Sequence, residues 1–311
     1  MQQLSYSMDR RSFLTRVAGR AAGLAVSTIA MPVSARRSKL STSLLRGSLT
    51  LISADDANLV AAQGGDASLL VDSGPVEHGK ELAKLLGVHK KPLQALFNTH
   101  WHLNHTGANG VFAREGLPII AHENTRLWMT TEIRCEWQDR VYPPRPVKAR
   151  PTKTFHYGKQ TFDFGGRKLE YGYLPQGHTD GDMYVFFPDE NVFVAGGSVS
   201  SSYPVIDYST GGWIGGLVKA LEAVVALTDK DTIVVAKSGP VVSRAEVQAE
   251  FEMCKDIYDK IAENYRKARN FDDLMATKPT QAYDARWGDP TRFMTLAYRS
   301  AWNHTREFGI F

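Results

Sequence analysis

Three histidines fall within six residues, His100-Trp101-His102-Leu103-Asn104-His105, directly after the short apolar run Ala95-Leu96-Phe97. Each buried imidazole brings two polar nitrogens that need partners, and a cluster this tight has to share them. Histidines at i and i+2 in a loop can both turn toward one ion. A second element supplies a third ligand: the Gly-rich loop Gln176-Gly177-His178-Thr179-Asp180-Gly181-Asp182, set between two strand-like runs, presents His178. Three protein nitrogens with one open position is the ligand count of a catalytic metal site. A fold that serves this pattern must carry two distant loops to one place.

The rest of the chain provides a frame for that. Strand-like segments (Asp56–Val60, Ala67–Val71, Ala95–Phe97, Ile119–Ala121, Lys153–Phe164, Lys168–Tyr173, Met183–Phe187, Val192–Ala195, Thr232–Ala236) alternate with helical ones at Glu77–Leu86 and Gly215–Leu227. Leu127–Ala149, with Trp128, Trp137 and Pro143-Pro144, reads as an irregular crossing loop. Ser243-Arg244-Ala245-Glu246 is a capping box, and Val247, Phe251, Cys254, Tyr258, Ile261 and Tyr265 follow it at helical spacing as a core-facing stripe. The mixture predicts an α/β protein with one main domain over residues 36–243 and a helical C-terminal extension over 244–311.

Residues 1–35 read as a targeting segment. Asp9-Arg10-Arg11-Ser12-Phe13-Leu14 has twin-arginine form, Val17 to Met31 is weakly apolar, and Val33-Ser34-Ala35 offers small residues for cleavage. Export to the periplasm or beyond is therefore expected, with no membrane span in the mature form. The formal net charge is +4, of which +3 sits in this segment, leaving about +1 for the rest. That balance is too small to argue for nucleic acid or an anionic membrane and says nothing more about the partner. A small-molecule substrate and no nucleic acid are expected, and oligomeric state is not legible. With two cysteines, Cys135 and Cys254, at most one disulfide can form, and Cys254 on the helical stripe reads as a buried free thiol.

Asp72-Ser73-Gly74 after a strand, the cluster at 100–105, the Gly177-His178-Thr179 loop and the Val192–Gly197 strand end occur in an order and spacing that resemble the metallo-β-lactamase superfamily. The resemblance spans roughly residues 47–243. It implies an αββα sandwich with the site at one edge of two sheets, and hydrolysis of esters, amides or thioesters with one or two zinc or iron ions. Within the family, Gly181-Asp182 and Val205-Ile206-Asp207-Tyr208 look most like the secreted hydrolase branch.

The departures define a second expectation. By the resemblance, a second metal needs an aspartate at 104, a bridging aspartate at 197 and a histidine at 238; here stand Asn104, Gly197 and Ser238, leaving His105 as one good ligand. The first set, His100, His102 and His178, is complete, so one Zn(2+) is expected, with iron the alternative, and the degenerate second position is expected empty. Asn104 can orient water, and His105, freed from metal duty, is the candidate base. Asp72 matches the family aspartate that braces the site. Lys237 stands where the family has glycine and is a candidate for holding an anionic group, with a solvent-facing turn lysine as the alternative. Trp101, Trp128, Trp137, Tyr203 and Trp213 are candidate pocket residues, with packing in the core as the alternative. Three readings stay open: a mononuclear hydrolase, a catalytically inactive binding protein using the old cleft, and a metal enzyme of another reaction class.

Overall fold

The computed structural model describes residues 40–309, so the twin-arginine segment lies outside the described residues. The first sheet has the order β1-β2-β3-β4-β5-β6-β9, formed by β1 (Ser41–Arg46), β2 (Leu49–Ala54), β3 (Ala57–Gln63), β4 (Ser68–Val71), β5 (Leu93–Phe97), β6 (Ile119–His122) and β9 (Lys153–Phe155). Its pairs are antiparallel from β1 to β4 and parallel from β4 onward. A small hairpin, β7 (Ile133–Cys135) and β8 (Arg140–Tyr142), stands apart. The second sheet runs β10 (Lys159–Phe164), β11 (Arg167–Tyr173), β12 (Met183–Phe187), β13 (Val192–Gly196), β14 (Ile233–Ala236), β15 (Val242–Ser243), antiparallel except for β13/β14.

Period-two alternation sorts the apolar side chains into layers. In β4, Leu69 and Val71 face the second sheet while Leu70 faces outward. In β13, Val192 and Val194 join the inter-sheet core while Phe193 and Ala195 face the other way. Two outward faces then need cover. Helices α1 (Gly79–Leu85), α2 (Leu103–Thr106) and α3 (Asn109–Phe112) lie on the first sheet's side of the chain, and Leu82, Ala108 and Phe112 seal that face. After α4 (Glu123–Thr130), the second sheet is covered by α5 (Ile214–Leu227), α6 (Arg244–Arg266), α7 (Phe271–Ala276), α8 (Asp284–Trp287) and α9 (Thr291–Ala301). The result is the αββα sandwich. Among the described residues no helix is long and apolar enough to cross a membrane.

Several local expectations change. The run Lys153–Phe164 divides between the two sheets, broken at Gly158 with φ +78°, because Lys153–Phe155 pairs with β6 and Lys159–Phe164 with β11. Leu127–Ala149 is not irregular throughout: it contains the end of α4 and the β7/β8 hairpin. The capping box at Ser243 is present, with Ser243 N–H donating to Glu246 Oε2 at 2.7 Å. The buried stripe of α6 is rotated from the expected one: Val247, Cys254 and Ile261 are buried, joined by Glu250, Met253 and Ile257, while Phe251, Tyr258 and Tyr265 pack at its margin. The core cluster beneath α6 draws residues from both sides of residue 243, from Leu174 to Phe308. Cys135 and Cys254 are both free and buried.

Candidate metal centre

The strands that build the site end at one edge. β5 leads into His100 and His102, β4 into Asp72, β13 into Gly197 and β14 into Lys237, while the β11–β12 connection carries His178. His100, His102 and His178 each offer one ligand nitrogen, all within 4.8 Å of one another.

The orientation of each ring is fixed from behind. His102 Nε2 lies 3.0 Å from Asp207 Oδ2, leaving Nδ1 to face inward. His178 Nδ1 lies 2.6 Å from the Val205 carbonyl, leaving Nε2 inward, 2.9 Å from His102 Nδ1. His100 Nδ1 contacts Thr99 Oγ1 at 3.0 Å, and its Nε2 is buried with no protein partner. An orphaned buried nitrogen costs free energy unless something binds it. Burial, reinforced by the neighbouring histidines and Lys237, pushes the His100 and His178 imidazoles well below their ordinary pKa. Burial also lowers His102, against the opposing pull of Asp207. Neutral imidazoles with inward lone pairs are what a divalent metal requires, and the residues fit one.

The supporting shell is dense. Asp207 accepts from Trp137 Nε1 (2.8 Å), Thr210 Oγ1 (2.7 Å) and Ser209 N–H (3.2 Å) while holding His102. Burial pushes its carboxyl up, but His102, Thr210 and Trp137 together carry it below the usual carboxylate range. Asp182 accepts from the backbone N–H of His178 and Thr179 (2.8 and 3.0 Å) and from Thr179 Oγ1 (2.7 Å), which shapes the His178 loop. Asp72, at φ +60°, accepts from Thr99 N–H (2.8 Å) and Thr99 Oγ1 (2.7 Å) and holds His105 Nδ1 at 2.9 Å. A non-glycine residue in that left-handed region stores strain, which this three-way brace holds in place.

The second position is different. Gly197 packs against the His178 ring so closely that an added Cβ would sit 2.1 Å from His178 Cδ2. Asn104 is half-buried on the cleft wall, its amide donating at 3.5 Å to the Asp56 carbonyl. Ser238 also lines the cleft. His105 is fully buried behind His100, ring centroids 4.4 Å apart, with Nε2 unpartnered. Buried beneath the wall, it does not line the cleft, which differs from its expected place beside a reacting water. Trp101 is likewise buried rather than exposed to the cleft: its indole donates to Thr210 Oγ1 at 3.0 Å and it packs with Met129 and Ile133. Of the candidate aromatics, Trp137 and Tyr203 form the apolar wall, and Lys237 turns into the cleft instead of into solvent. The cleft encloses about 680 Å³.

Asp207 and Arg292 also belong to the site, and neither is announced by a local pattern of its own. Asp207 lies in the Val205-Ile206-Asp207-Tyr208 loop, but a carboxylate 105 positions from its imidazole partner leaves no local signal of that pairing. His122 is the N-cap of α4, its Nδ1 accepting from Asn124 N–H at 3.2 Å. Cap residues of this kind satisfy free backbone donors and need no other role.

The fold and the site together define a class: an αββα protein with a three-histidine centre at the edge of its sheets. The sequence profile described as the metallo-beta-lactamase superfamily matches residues 54–269, so the chain belongs to that superfamily. Members of this family generally bind metal, often zinc, and this chain carries the His100/His102/His178 group. Among relatives, the lactamase-like protein vrtG of Penicillium aethiopicum is 29% identical over 182 residues, covering 57% of this chain and 51% of that protein. The chain thus spans about half the length of that curated relative. A metallo-beta-lactamase from Pontibacter korlensis superposes with TM-score 0.58 at 18% identity, covering 70% of this chain and all of the other. The stereoselective inverting sec-alkylsulfatase Pisa1 from Pseudomonas sp. gives TM-score 0.64 at 12% identity, over 88% of this chain and 51% of that one. At such identities the structural likenesses speak to fold alone.

Proposed function

We propose that this chain is an exported metal-dependent hydrolase that holds a single zinc ion on His100, His102 and His178 and cleaves a small-molecule ester, amide or thioester. The observation that carries the reading is the set of three neutral imidazoles, two tied from behind by Asp207 and the Val205 carbonyl, converging beside the orphaned Nε2 of His100. Zinc in such a set supplies Lewis acidity and activates water near neutral pH. The protein's own residues do the rest. Asp72 and Thr99 hold the His100 strand end in place, and His105 completes the Asp72 network from within. Asn104 on the wall orients water by hydrogen bonding, and Trp137 and Tyr203 exclude it from the apolar side.

The second position is proposed to stay empty. Asparagine offers a neutral carbonyl oxygen, serine a poor ligand, and glycine none. That loss supports one alternative, a binding protein that catalyses nothing. The test is a panel of ester, lactam and thioester substrates offered to zinc-loaded protein and to His102→Ala. Turnover lost in the variant supports the hydrolase; zinc bound without turnover on any substrate class favours the binder. Export is checked by Arg10→Lys with Arg11→Lys, which should retain the protein in the cytosol.

A further inference from the structure

Four cations line the cleft. Arg145 donates to the Gly107 carbonyl and Arg140 lies over the Tyr142 ring. Lys237 and Arg292, by contrast, have no carboxylate in direct contact among the described residues, Asp56 being the acid of the lining that pulls on Lys237. Lys237 leaves the C-terminal end of β14, and its turn is clamped from β3. The Asn58 side-chain amide donates to the carbonyls of Ala236 (3.1 Å) and Gly239 (2.8 Å), and the Asn58 backbone N–H donates to Lys237 O at 2.7 Å. Arg292 comes from the first turn of α9 and lies over the Trp137 ring, 4.6 Å from its centroid. Trp137 in turn donates to Asp207, the carboxylate that orients His102. Both cations line the same cleft as His100, His102 and His178. Among the described residues neither the Lys237 ammonium nor the Arg292 guanidinium has a hydrogen-bond or ion-pair partner.

The two charges act on each other, and the charge of Lys237 reaches all three ligand histidines. Two like charges held near each other in a partly enclosed cleft destabilise the unliganded protein, and an anion shared between them relieves both. The acids on the cleft lining, Asp55, Asp56 and Glu77, belong to the β2–β3 turn and the segment after β4. Asp55 is engaged by His78 at 2.9 Å. Arg292 also lies beyond residue 269, where the family match ends, so one half of the pair comes from this chain's C-terminal helices.

We propose that Lys237 and Arg292 form a clamp for an oxyanion carried by the substrate, a carboxylate or a sulfate group, and so place its scissile bond at the three-histidine centre. A guanidinium presents a fork that matches either group, and an ammonium adds a point charge from the other side. The proposal rests on the hydrolase reading of this same cleft, and it names the substrate class that the reading leaves open.

The experiment titrates full-length protein, metal-free and zinc-loaded, with inorganic sulfate and with acetate at constant ionic strength, following heat release and tryptophan emission. Saturable binding with a Kd on the order of millimolar is expected for at least one probe, weakened about tenfold or more by Arg292→Gln and by Lys237→Met. Lys237→Arg should recover most of the loss. Zinc content should be unchanged in all three variants, and their melting curves report folding. Tighter sulfate than acetate assigns a sulfate ester; the reverse assigns a carboxylate-bearing substrate. Non-saturable binding, or equal binding in wild type and both neutral variants, overturns the clamp. His178→Ala separates the two claims: lost zinc with retained anion binding leaves the clamp standing apart from the metal, whereas bound zinc without anion binding sinks the clamp alone.

Discussion

The three-histidine group and the residues at the expected second position lie at the same sheet edge, yet they are built in opposite ways. At the first, the outer nitrogens of His102 and His178 are tied down by Asp207 and the Val205 carbonyl, so the ligand nitrogens point inward before any ion arrives. At the second, Asn104 leans toward the Asp56 carbonyl, Gly197 has no side chain, and His105 is drawn back onto Asp72. The difference teaches that the residues at the expected second position are packed against the first set and not held open for an ion. The His178 ring occupies the space where a side chain at 197 would begin.

This comparison can be broken most forcefully at residue 197. Gly197→Asp should not restore a second metal. It should expel His178 from its place, abolish binding at the first position and cost roughly 3 kcal/mol or more of stability, as overpacking of a tight core does. Metal analysis with a denaturation curve checks it, and a stable variant holding two ions would break the contrast. Asp207→Asn comes next. It removes the carboxylate behind His102 and should weaken zinc affinity about 10–100-fold, read by competition with a chelator.

Glu250 sharpens the comparison from the Lys237 side of the cleft, because its Oε2 accepts from Ser200 N–H at 3.1 Å and so supports the loop that brings Ser202 and Tyr203 to the cleft. Burial raises its pKa to about 8, so the folded protein keeps a proton that the unfolded chain releases near the ordinary carboxylate pKa. Its contribution is therefore full below the unfolded value and is lost as pH rises toward 8. The slope is at most roughly 1.4 kcal/mol per pH unit. Glu250→Gln should flatten the fall in melting temperature between pH 5 and 8; an unchanged profile would contradict the assignment. The smallest effect is expected for Asn104→Ala, which should leave zinc affinity within about twofold if residue 104 is no ligand.

Lys237 adds a pH signature to the clamp. Burial and Arg292 lower its pKa to about 8, against Asp56, Glu250 and Asp182. Its charge is present below that value and lost above it, so sulfate binding should weaken as pH rises past about 8, and the weakening should vanish in Lys237→Met.

Much of the frame was legible because it is written in local patterns. The alternation in β4 and β13, the capping box at Ser243 and the histidine spacing each act within a few residues. The His100/His102/His178 group followed from the histidine spacing and the Gly-rich loop, and the brace at Asp72 from the family resemblance. What was not legible depends on distant pairing. Phe155 and Lys159 belong to different sheets only because their partners are Ile119–His122 and Arg167–Tyr173. Trp101 and His105 sit in the motif itself, but neighbours from remote segments bury them. Arg292 reaches the cleft through the packing of α9, which no motif announces.

The central claim is one working ion on three histidines. Metal content per chain, measured on protein purified without added metal beside a His178→Ala control, tests it most directly. The account predicts about one equivalent of zinc in the wild type and almost none in the control. Two equivalents in the wild type, or none even after reconstitution with zinc, would contradict it.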